Sequence, residues 1–186
     1  MGLRVIGGEL KGRKLRSVRG VQTRPTGERV RESIFNILSQ RVQGAFGLDL
    51  YAGTGALGIE ALSRGAEWVL FVDSDKKALT ILERNIEACG LERRARMIRW
   101  HIAQNLNCLR SIRPPFNLVL MDPPYNQNLI GPTLHHLHTS RSLESGACIV
   151  LEHSHFETIP PNLHPFDLLD QRRYGKTLVS FFSYVV

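Results

Sequence analysis

Apolar residues along the chain recur in two alternating patterns, one of short continuous runs and one with helical spacing. The short runs predict β-strands at 48–51, 68–72, 95–99, 116–121 and 147–151, and the segments between them predict helices at 56–64, 75–89, 104–112 and 129–139. A final pair of runs, 166–169 and 178–185, closes the pattern. Strands that alternate with helices are typical of a mostly parallel α/β sheet, so we expect a Rossmann-like domain with helices on both faces.

The first 25 residues follow a different pattern. Residues 3–6 and 14–18 flank Gly7, Gly8 and Gly12, which predicts a small β-hairpin with basic residues on its open face. Pro25 then breaks the chain, and Thr26 is a candidate N-cap. The helix that follows has apolar residues at i, i+4, i+7 and i+8, namely Val30, Ile34, Ile37 and Leu38. We therefore divide the chain into a hairpin arm, 1–25, and one domain, 26–186.

Composition agrees with a single domain. Hydrophobic residues make up 42% of the 186-residue chain, enough for one core that buries roughly 70% of the unfolded surface. The apolar runs are too short to cross a membrane, and the N-terminus has no hydrophobic signal region. Three widely spaced cysteines indicate reduced thiols, and adjacent histidines at 135 and 136 point to different sides of a helix. We expect a cytoplasmic monomer with no membrane partner and no metal.

Positive charge is concentrated at one end of the chain. Residues 1–31 contain nine Lys or Arg and two Glu, whereas residues 32–186 contain fifteen basic and fifteen acidic residues. The formal net charge of +7 is therefore carried by the N-terminal segment alone. Such an arm favours a polyanionic partner such as nucleic acid, although a solvated basic tail is the alternative. Candidate contacts are Arg13, Lys14, Arg16, Arg24 and Arg29.

A glycine-rich loop follows the first strand of the domain. Gly53, Gly55 and Gly58 have the spacing of a dinucleotide-binding loop, and the next strand ends at Asp73, which suits ribose hydroxyls. A nicotinamide dehydrogenase is one interpretation. Asp49, just before the loop, would repel a pyrophosphate but attract the ammonium and sulfonium charges of S-adenosylmethionine. Since 186 residues also leave no room for a second substrate domain, we favour S-adenosylmethionine.

The turn Asp122-Pro123-Pro124-Tyr125 follows the apolar run 116–121 directly. The prolines hold Asp122 and Pro123 extended, with their carbonyl groups free. The Asp122 carboxylate and the Pro123 carbonyl can accept from the two N–H groups of an aromatic amine, which turns its lone pair toward a methyl donor. Tyr125 can stack on a base taken out of its helix. The turn therefore predicts an amine-methylating site, although a turn that only closes a strand is the alternative.

Two further residues, Glu152 and His153, end a strand on the same side of the sheet. Their sequence context gives no reason to assign them chemistry.

Several motifs together resemble RsmD-type 16S ribosomal RNA guanine-N2 methyltransferases, over nearly the whole chain. They are Val5-Ile6-Gly7-Gly8, Gly12-Arg13-Lys14-Leu15, Arg24-Pro25-Thr26, Arg29-Val30, Glu32, Phe35-Asn36, the loop from Asp49 to Leu62, Ser63-Arg64-Gly65-Ala66, Asp122 to Tyr125, and Tyr174-Gly175. DNA adenine methyltransferases share the Asp-Pro-Pro-Tyr turn. An adenine-N6 methyltransferase acting on DNA or RNA is therefore an alternative, as is a catalytically silent RNA-binding module.

The resemblance implies a class I methyltransferase fold, a seven-stranded sheet whose last strand is antiparallel. It also implies S-adenosylmethionine as the cofactor and, as the substrate, a guanine of small-subunit ribosomal RNA, free or within an assembling subunit. Asp122, Pro123 and Tyr125 are the implied catalytic residues. At His101 the family often has Asp or Asn, and a neutral imidazole can accept the same bond from the adenine amine. The implied cofactor-binding residues are Asp49, Ala52, Gly53, Gly55, Asp73, His101 and Asp122.

Overall fold

A computed structural model describes residues 2–17, 25–160 and 163–186. The helices are α1 (Pro25–Leu38), α2 (Ala56–Ser63), α3 (Lys76–Cys89) and α4 (Ile130–Ser140), with short 3-10 turns at Ser39–Val42 and Asn107–Leu109. The strands are β1 (Phe46–Leu50), β2 (Trp68–Asp73), β3 (Ala95–Arg99), β4 (Phe116–Met121), β5 (Leu143–Ser154), β6 (Phe166–Tyr174) and β7 (Thr177–Tyr184).

All seven strands form one sheet in the order β3-β2-β1-β4-β5-β7-β6. The first five strands run parallel, and β7 is antiparallel to both of its neighbours, β5 and β6. The mostly parallel seven-stranded sheet with an antiparallel last strand is therefore confirmed. Chain order reverses between β1 and β4, and ligands of open α/β sheets bind outside the carboxyl ends of the strands at such a point.

Hydrophobic cores lie on both faces of the sheet because the parallel strands alternate their side chains between them. Leu118 and Leu120 of β4 pack in one core with residues of α1, α2 and α3. Val119 and Met121 of the same strand pack in the other core with residues of α4. A central strand buried on both sides explains why 116–121 is apolar at every position except Asn117.

Three sequence predictions need correction. The helix predicted at 104–112 is only the 3-10 turn at 107–109, where the Asn105 side chain accepts from the Asn107 N–H at 3.0 Å and so competes with helical hydrogen bonding. Helix α1 begins at Pro25, one residue before the predicted N-cap Thr26, and proline is favoured in the first helical position. Ile37 is 38% exposed at the edge of the buried stripe, whereas Phe35 is buried.

The N-terminal segment pairs with itself in the predicted antiparallel sense. The Val5 N–H donates to the Arg13 carbonyl at 2.9 Å, and the Leu15 N–H donates to the Leu3 carbonyl at 2.8 Å. A single bridge joins Arg4 to Lys14, so the hairpin is shorter than predicted, and Val18 lies outside the described residues. Leu3, Val5 and Leu15 are buried in the core that contains α1 and α2.

A buried carboxylate fastens this arm to the domain. Glu60 on α2 is fully buried and accepts from the backbone N–H groups of Ile6 and Gly7, both at 2.8 Å. The Arg64 guanidinium donates to the same carboxylate at 2.7 Å, and Arg31 on α1 lies 3.7 Å from it. Since two backbone donors and two cations converge on it, Glu60 connects the arm, α1 and α2 through one charge.

We expect Glu60→Gln to lower the free energy of unfolding by roughly 3 kcal/mol, because it leaves buried cations without their counter-charge. Urea unfolding measures this. Asp170→Asn is the control, since it removes an exposed pair, Asp170–Arg172 at 2.9 Å, and should cost less than about 1 kcal/mol. Equal losses in both variants would show that Glu60 does not hold the arm.

Candidate active site

Three carboxyl groups lie side by side at the carboxyl end of the sheet. Asp49 is in β1, Asp122 follows β4, and Glu152 is in β5. In the parallel register Met121 is opposite Leu151, so Asp122 and Glu152 are the next residues along neighbouring strands. By alternation all three share the face covered by α1 and α2. We call Asp49, Asp122 and Glu152 the carboxyl row.

The first member of the row, Asp49, is only 1% exposed. Its Oδ2 accepts from the Gly58 N–H at 2.9 Å. Gly58 permits this approach, since a Cβ there would lie 2.9 Å from Asp49 Oδ2 and 2.3 Å from the Phe71 ring. Burial raises the pKa of Asp49 to about 7; the nearby Asp73 adds to the shift, and the Gly58 hydrogen bond opposes it.

Asp122 lies between the other two carboxyl groups. Its backbone N–H points to the Leu50 carbonyl at 3.5 Å, which keeps the turn on the end of β1. Solvent reaches its side chain through the cavities, but protein surrounds it on the other sides. Burial, and then repulsion from Glu152 and Asp49, raises its pKa well above the ordinary value. A cation placed here would therefore be strongly favoured.

Tyr125 is hydrogen-bonded to Glu152, the third member of the row. The Tyr125 hydroxyl donates to Glu152 Oε1 at 2.8 Å, while 38% of the tyrosine stays exposed. Burial raises the pKa of Glu152, and the Tyr125 hydrogen bond and the Arg31 guanidinium both oppose that shift. Sequence reasoning missed Glu152 as a site residue. The signal that could have found it is its place in β5, beside the turn that follows β4.

The glycine-rich loop is held by Asp73 at the end of β2. Asp73 Oδ2 accepts from the Gly53 N–H and Oδ1 from the Asp75 N–H, both at 2.8 Å. Gly55 has a φ of 85°, and a Cβ there would lie 2.2 Å from Leu82. Gly55 therefore lets the loop pack closely on α3. It lines neither of the two cavities described next.

Tyr51 divides the space above the strands into two cavities. Its φ of 60° is unusual for a bulky residue, and its hydroxyl pairs with Thr133 Oγ1 at 2.7 Å. The larger cavity, about 850 Å³, is lined by Tyr51, Asp73, Ser74, Asp75, His101, Ile102, Ala103, Gln104, Asp122, Pro123, Pro124, Tyr125, Gln127 and Leu129. The smaller cavity, about 270 Å³, is lined by Leu3, Ser17, Asp49, Tyr51, Ala52, Gly53, Thr54, Ala56, Leu57 and Asp122. Tyr51 and Asp122 belong to both, so the two cavities are adjacent.

Most of the predicted site residues thus meet at these cavities. Asp49, Ala52 and Gly53 line the smaller one, and Asp73 and His101 line the larger one. The predicted catalytic residues Asp122, Pro123 and Tyr125 all line the larger cavity.

The predicted nucleic-acid contacts lie outside the cavities. Arg13, Lys14 and Arg16 are exposed on the arm, Arg29 is exposed on α1, and Arg24 lies outside the described residues. Arg13, Lys14 and Arg16 are therefore on the surface of the arm, whose Leu3 and Ser17 line the smaller cavity.

A buried asparagine joins the arm to the glycine-rich loop. Asn85 on α3 accepts from the Arg16 N–H at 2.8 Å and donates to the Arg16 carbonyl at 3.1 Å. The same side chain donates to the Thr54 carbonyl at 2.9 Å. Sequence reasoning missed Asn85, whose spacing on α3 is that of an ordinary helix residue. The arm and the loop are therefore held in a fixed relation.

Two features are absent from the described ranges, 2–17, 25–160 and 163–186. Within them no helix is long and apolar enough to span a membrane. No group of three or more His, Cys, Asp or Glu residues is arranged there to hold a metal ion.

Comparison with known proteins gives consistent matches over almost the whole chain. The family model described as Conserved hypothetical protein 95 matches residues 3–183. YlbH of Bacillus subtilis (strain 168) is 37% identical over 181 residues, covering 97% of this chain and 98% of that protein. Ribosomal RNA small subunit methyltransferase D of Escherichia coli (strain K12) is 34% identical, covering 86% of this chain and 80% of that protein. The solved structure of yhhF from Escherichia coli matches with a TM-score of 0.81 and 31% identity, covering 98% of this chain and 97% of that one.

The raised pKa of Asp49 makes stability depend on pH. Between about pH 4, the unfolded value, and about pH 7, the folded value, the folded chain binds the extra proton, so this group lowers stability as pH rises. Asp49→Asn keeps an oxygen that can accept from the Gly58 N–H. We expect its free energy of unfolding, relative to that of the wild type, to increase by at least about 1 kcal/mol between pH 5 and pH 8. Urea unfolding across that range measures the difference, and a difference independent of pH would contradict the prediction.

Proposed function

This chain belongs to the Conserved hypothetical protein 95 family, and we propose that it transfers a methyl group from S-adenosylmethionine to the N2 amine of a guanine in small-subunit ribosomal RNA. Membership of the family confirms the RsmD-type resemblance of the motifs. The match to yhhF, together with the sheet order, confirms the class I methyltransferase fold. The observation that carries the proposal is the carboxyl row. Its Asp49 and Asp122 line two adjoining cavities, and its Glu152 accepts a hydrogen bond from Tyr125.

The residues present fit S-adenosylmethionine. Asp49 and Asp122 line one cavity, where two carboxyl groups oppose a pyrophosphate and favour the ammonium and sulfonium charges of the methionine end. At Gly53 the space that a Cβ would occupy is open, so the backbone can approach a ligand. When bound, S-adenosylmethionine supplies an electrophilic methyl group on a positively charged sulfur.

The adenosine end fits the larger cavity. Each Asp73 oxygen accepts one backbone N–H and has a further lone pair for a ribose hydroxyl. His101 lines the same cavity, and a neutral imidazole can accept from an amine.

The base would be held by the proline turn. The Asp122 carboxylate and the Pro123 carbonyl accept from the two amine N–H groups, while the exposed face of Tyr125 stacks on the ring. Hydrogen bonding of this kind localises the lone pair on nitrogen. Because the amine loses one proton on methylation, the Asp122 carboxylate is placed to receive it. Positioning and electrostatics supply most of the catalysis.

Ribosomal RNA as the substrate rests on two observations. The relatives named Ribosomal RNA small subunit methyltransferase D include proteins of Escherichia coli and Haemophilus influenzae. In this chain, exposed Arg13, Lys14 and Arg16 lie on an arm whose residues Leu3 and Ser17 line the smaller cavity. An RNA bound to the arm would therefore lie beside the two cavities.

Methylation assays on small-subunit RNA and on isolated small subunits test the function. We expect N2-methylguanosine after nuclease digestion and mass spectrometry, with at least about a 100-fold loss of kcat in Asp122→Ala at saturating S-adenosylmethionine. Asp170→Ala, in β6, is the matched control and should keep full activity. N6-methyladenosine as the product would instead support the adenine enzyme, and an active Asp122→Ala variant would remove Asp122 from catalysis.

The arm can be tested by the salt dependence of RNA binding. Replacing Arg13, Lys14 and Arg16 by Gln should weaken binding and reduce the slope of log K against log salt by roughly one unit per lost phosphate contact. The matched control is the same change at Arg110, Arg113 and Arg141, exposed residues that precede β4 and β5 at the opposite end of the sheet. A slope that falls equally in both variants would rule out a specific role of the arm.

A further inference from the structure

Glu152 lies beside the turn that holds the amine, yet the methyl transfer proposed above gives it no role. We propose that Glu152 selects guanine by accepting a hydrogen bond from the ring N1–H, next to the amine held by Asp122 and Pro123. This inference rests on the proposed function and names the group that chooses the base.

The placement of Glu152 follows from strand register. Leu151 is opposite Met121 in the parallel pair, so Glu152 and Asp122 are adjacent across the strands, on the same face. Neighbouring strands are roughly 4.8 Å apart, about twice the spacing of adjacent atoms on a purine edge. Flexible carboxylate side chains on such strands can meet two neighbouring donors of one base.

The hydrogen bond from Tyr125 leaves one carboxylate oxygen of Glu152 free to accept from a base. The Tyr125 hydroxyl donates to Glu152 Oε1 at 2.8 Å, and that bond does not engage Oε2. The Tyr125 ring, which would stack on the base, is thus hydrogen-bonded to the Glu152 carboxylate, which would accept from N1–H at the edge of the base. A stacked base and an in-plane hydrogen bond are therefore compatible.

The hydrogen-bonding edge of guanine matches two carboxylates. Its N1–H and N2–H₂ are adjacent donors, whereas adenine has an acceptor at N1 beside its N6 amine. A carboxylate facing N1 attracts guanine and repels the lone pair of adenine. Burial raises the pKa of Glu152, and the nearby Arg31 guanidinium opposes that shift and so favours the charged carboxylate.

The test compares two amines that differ at N1. RNA fragments carry either guanine or 2-aminopurine at the modified position, which is mapped first from the wild-type product. 2-Aminopurine keeps the amine at C2 but has a lone pair at N1. We expect the wild type to prefer guanine in kcat/KM, and Glu152→Gln, whose amide can donate to that lone pair, to reduce this preference at least about tenfold. The missing O6 of 2-aminopurine affects both enzymes alike, so the change in the ratio isolates N1.

Two further variants separate direct contact from indirect effects. Tyr125→Phe removes the hydroxyl bond but keeps the ring and the carboxylate, so the guanine preference should remain. Glu144→Gln makes the same substitution at an exposed position of β5 and should change nothing. S-adenosylmethionine affinity and thermal unfolding of each variant are measured as checks of folding.

The outcomes are distinguishable. An unchanged guanine preference in Glu152→Gln would overturn the inference while leaving the function intact. A preference that is lost equally in Tyr125→Phe would also overturn it, because Glu152 would then act through the tyrosine. Absence of transfer to guanine by the wild type would instead be a failure of the proposed function.

Discussion

The parallel register of β1, β4 and β5 is the constraint on which the site depends. It brings Asp49, Asp122 and Glu152 to the carboxyl end and to one face of the sheet. Burial raises the pKa of each of the three, and repulsion from Glu152 and Asp49 raises that of Asp122 further. Like charges held together in a partly buried site are unfavourable until a cation arrives. A cationic methyl donor relieves that repulsion, so the same residues that destabilise the free protein favour binding of the cofactor.

The arm is the second part of this arrangement. Glu60 binds the backbone of Ile6 and Gly7, and Asn85 binds the backbone of Arg16 together with the glycine-rich loop at Thr54. The arm therefore presents cations to solvent and contributes a wall to the smaller cavity. One short segment therefore provides a surface suited to RNA and part of the wall of a cavity suited to the cofactor. This gives the basic residues at the start of the chain a fixed position relative to the proline turn.

Local patterns predict the elements of this protein well and its tertiary contacts poorly. The strand 116–121 agrees with the structure because five of its six residues are apolar. The helix at 104–112 was wrong because side-chain hydrogen bonding at Asn105 competes with helix formation, a local effect that apolar spacing does not contain.

The loop at 53–58 and the proline turn were found from sequence because their chemistry is local. Glu60, Asn85 and Glu152 act on partners distant in sequence, so only the assembled fold identifies them.

The most direct measurement is a crystal structure of the protein with S-adenosylhomocysteine and the target RNA fragment. The proposed function predicts that the N2 atom of an unstacked guanine lies about 3 Å from an Asp122 carboxylate oxygen, beside the sulfur of the cofactor product. A cofactor product bound away from the carboxyl row, or a base whose amine does not reach Asp122, would contradict it.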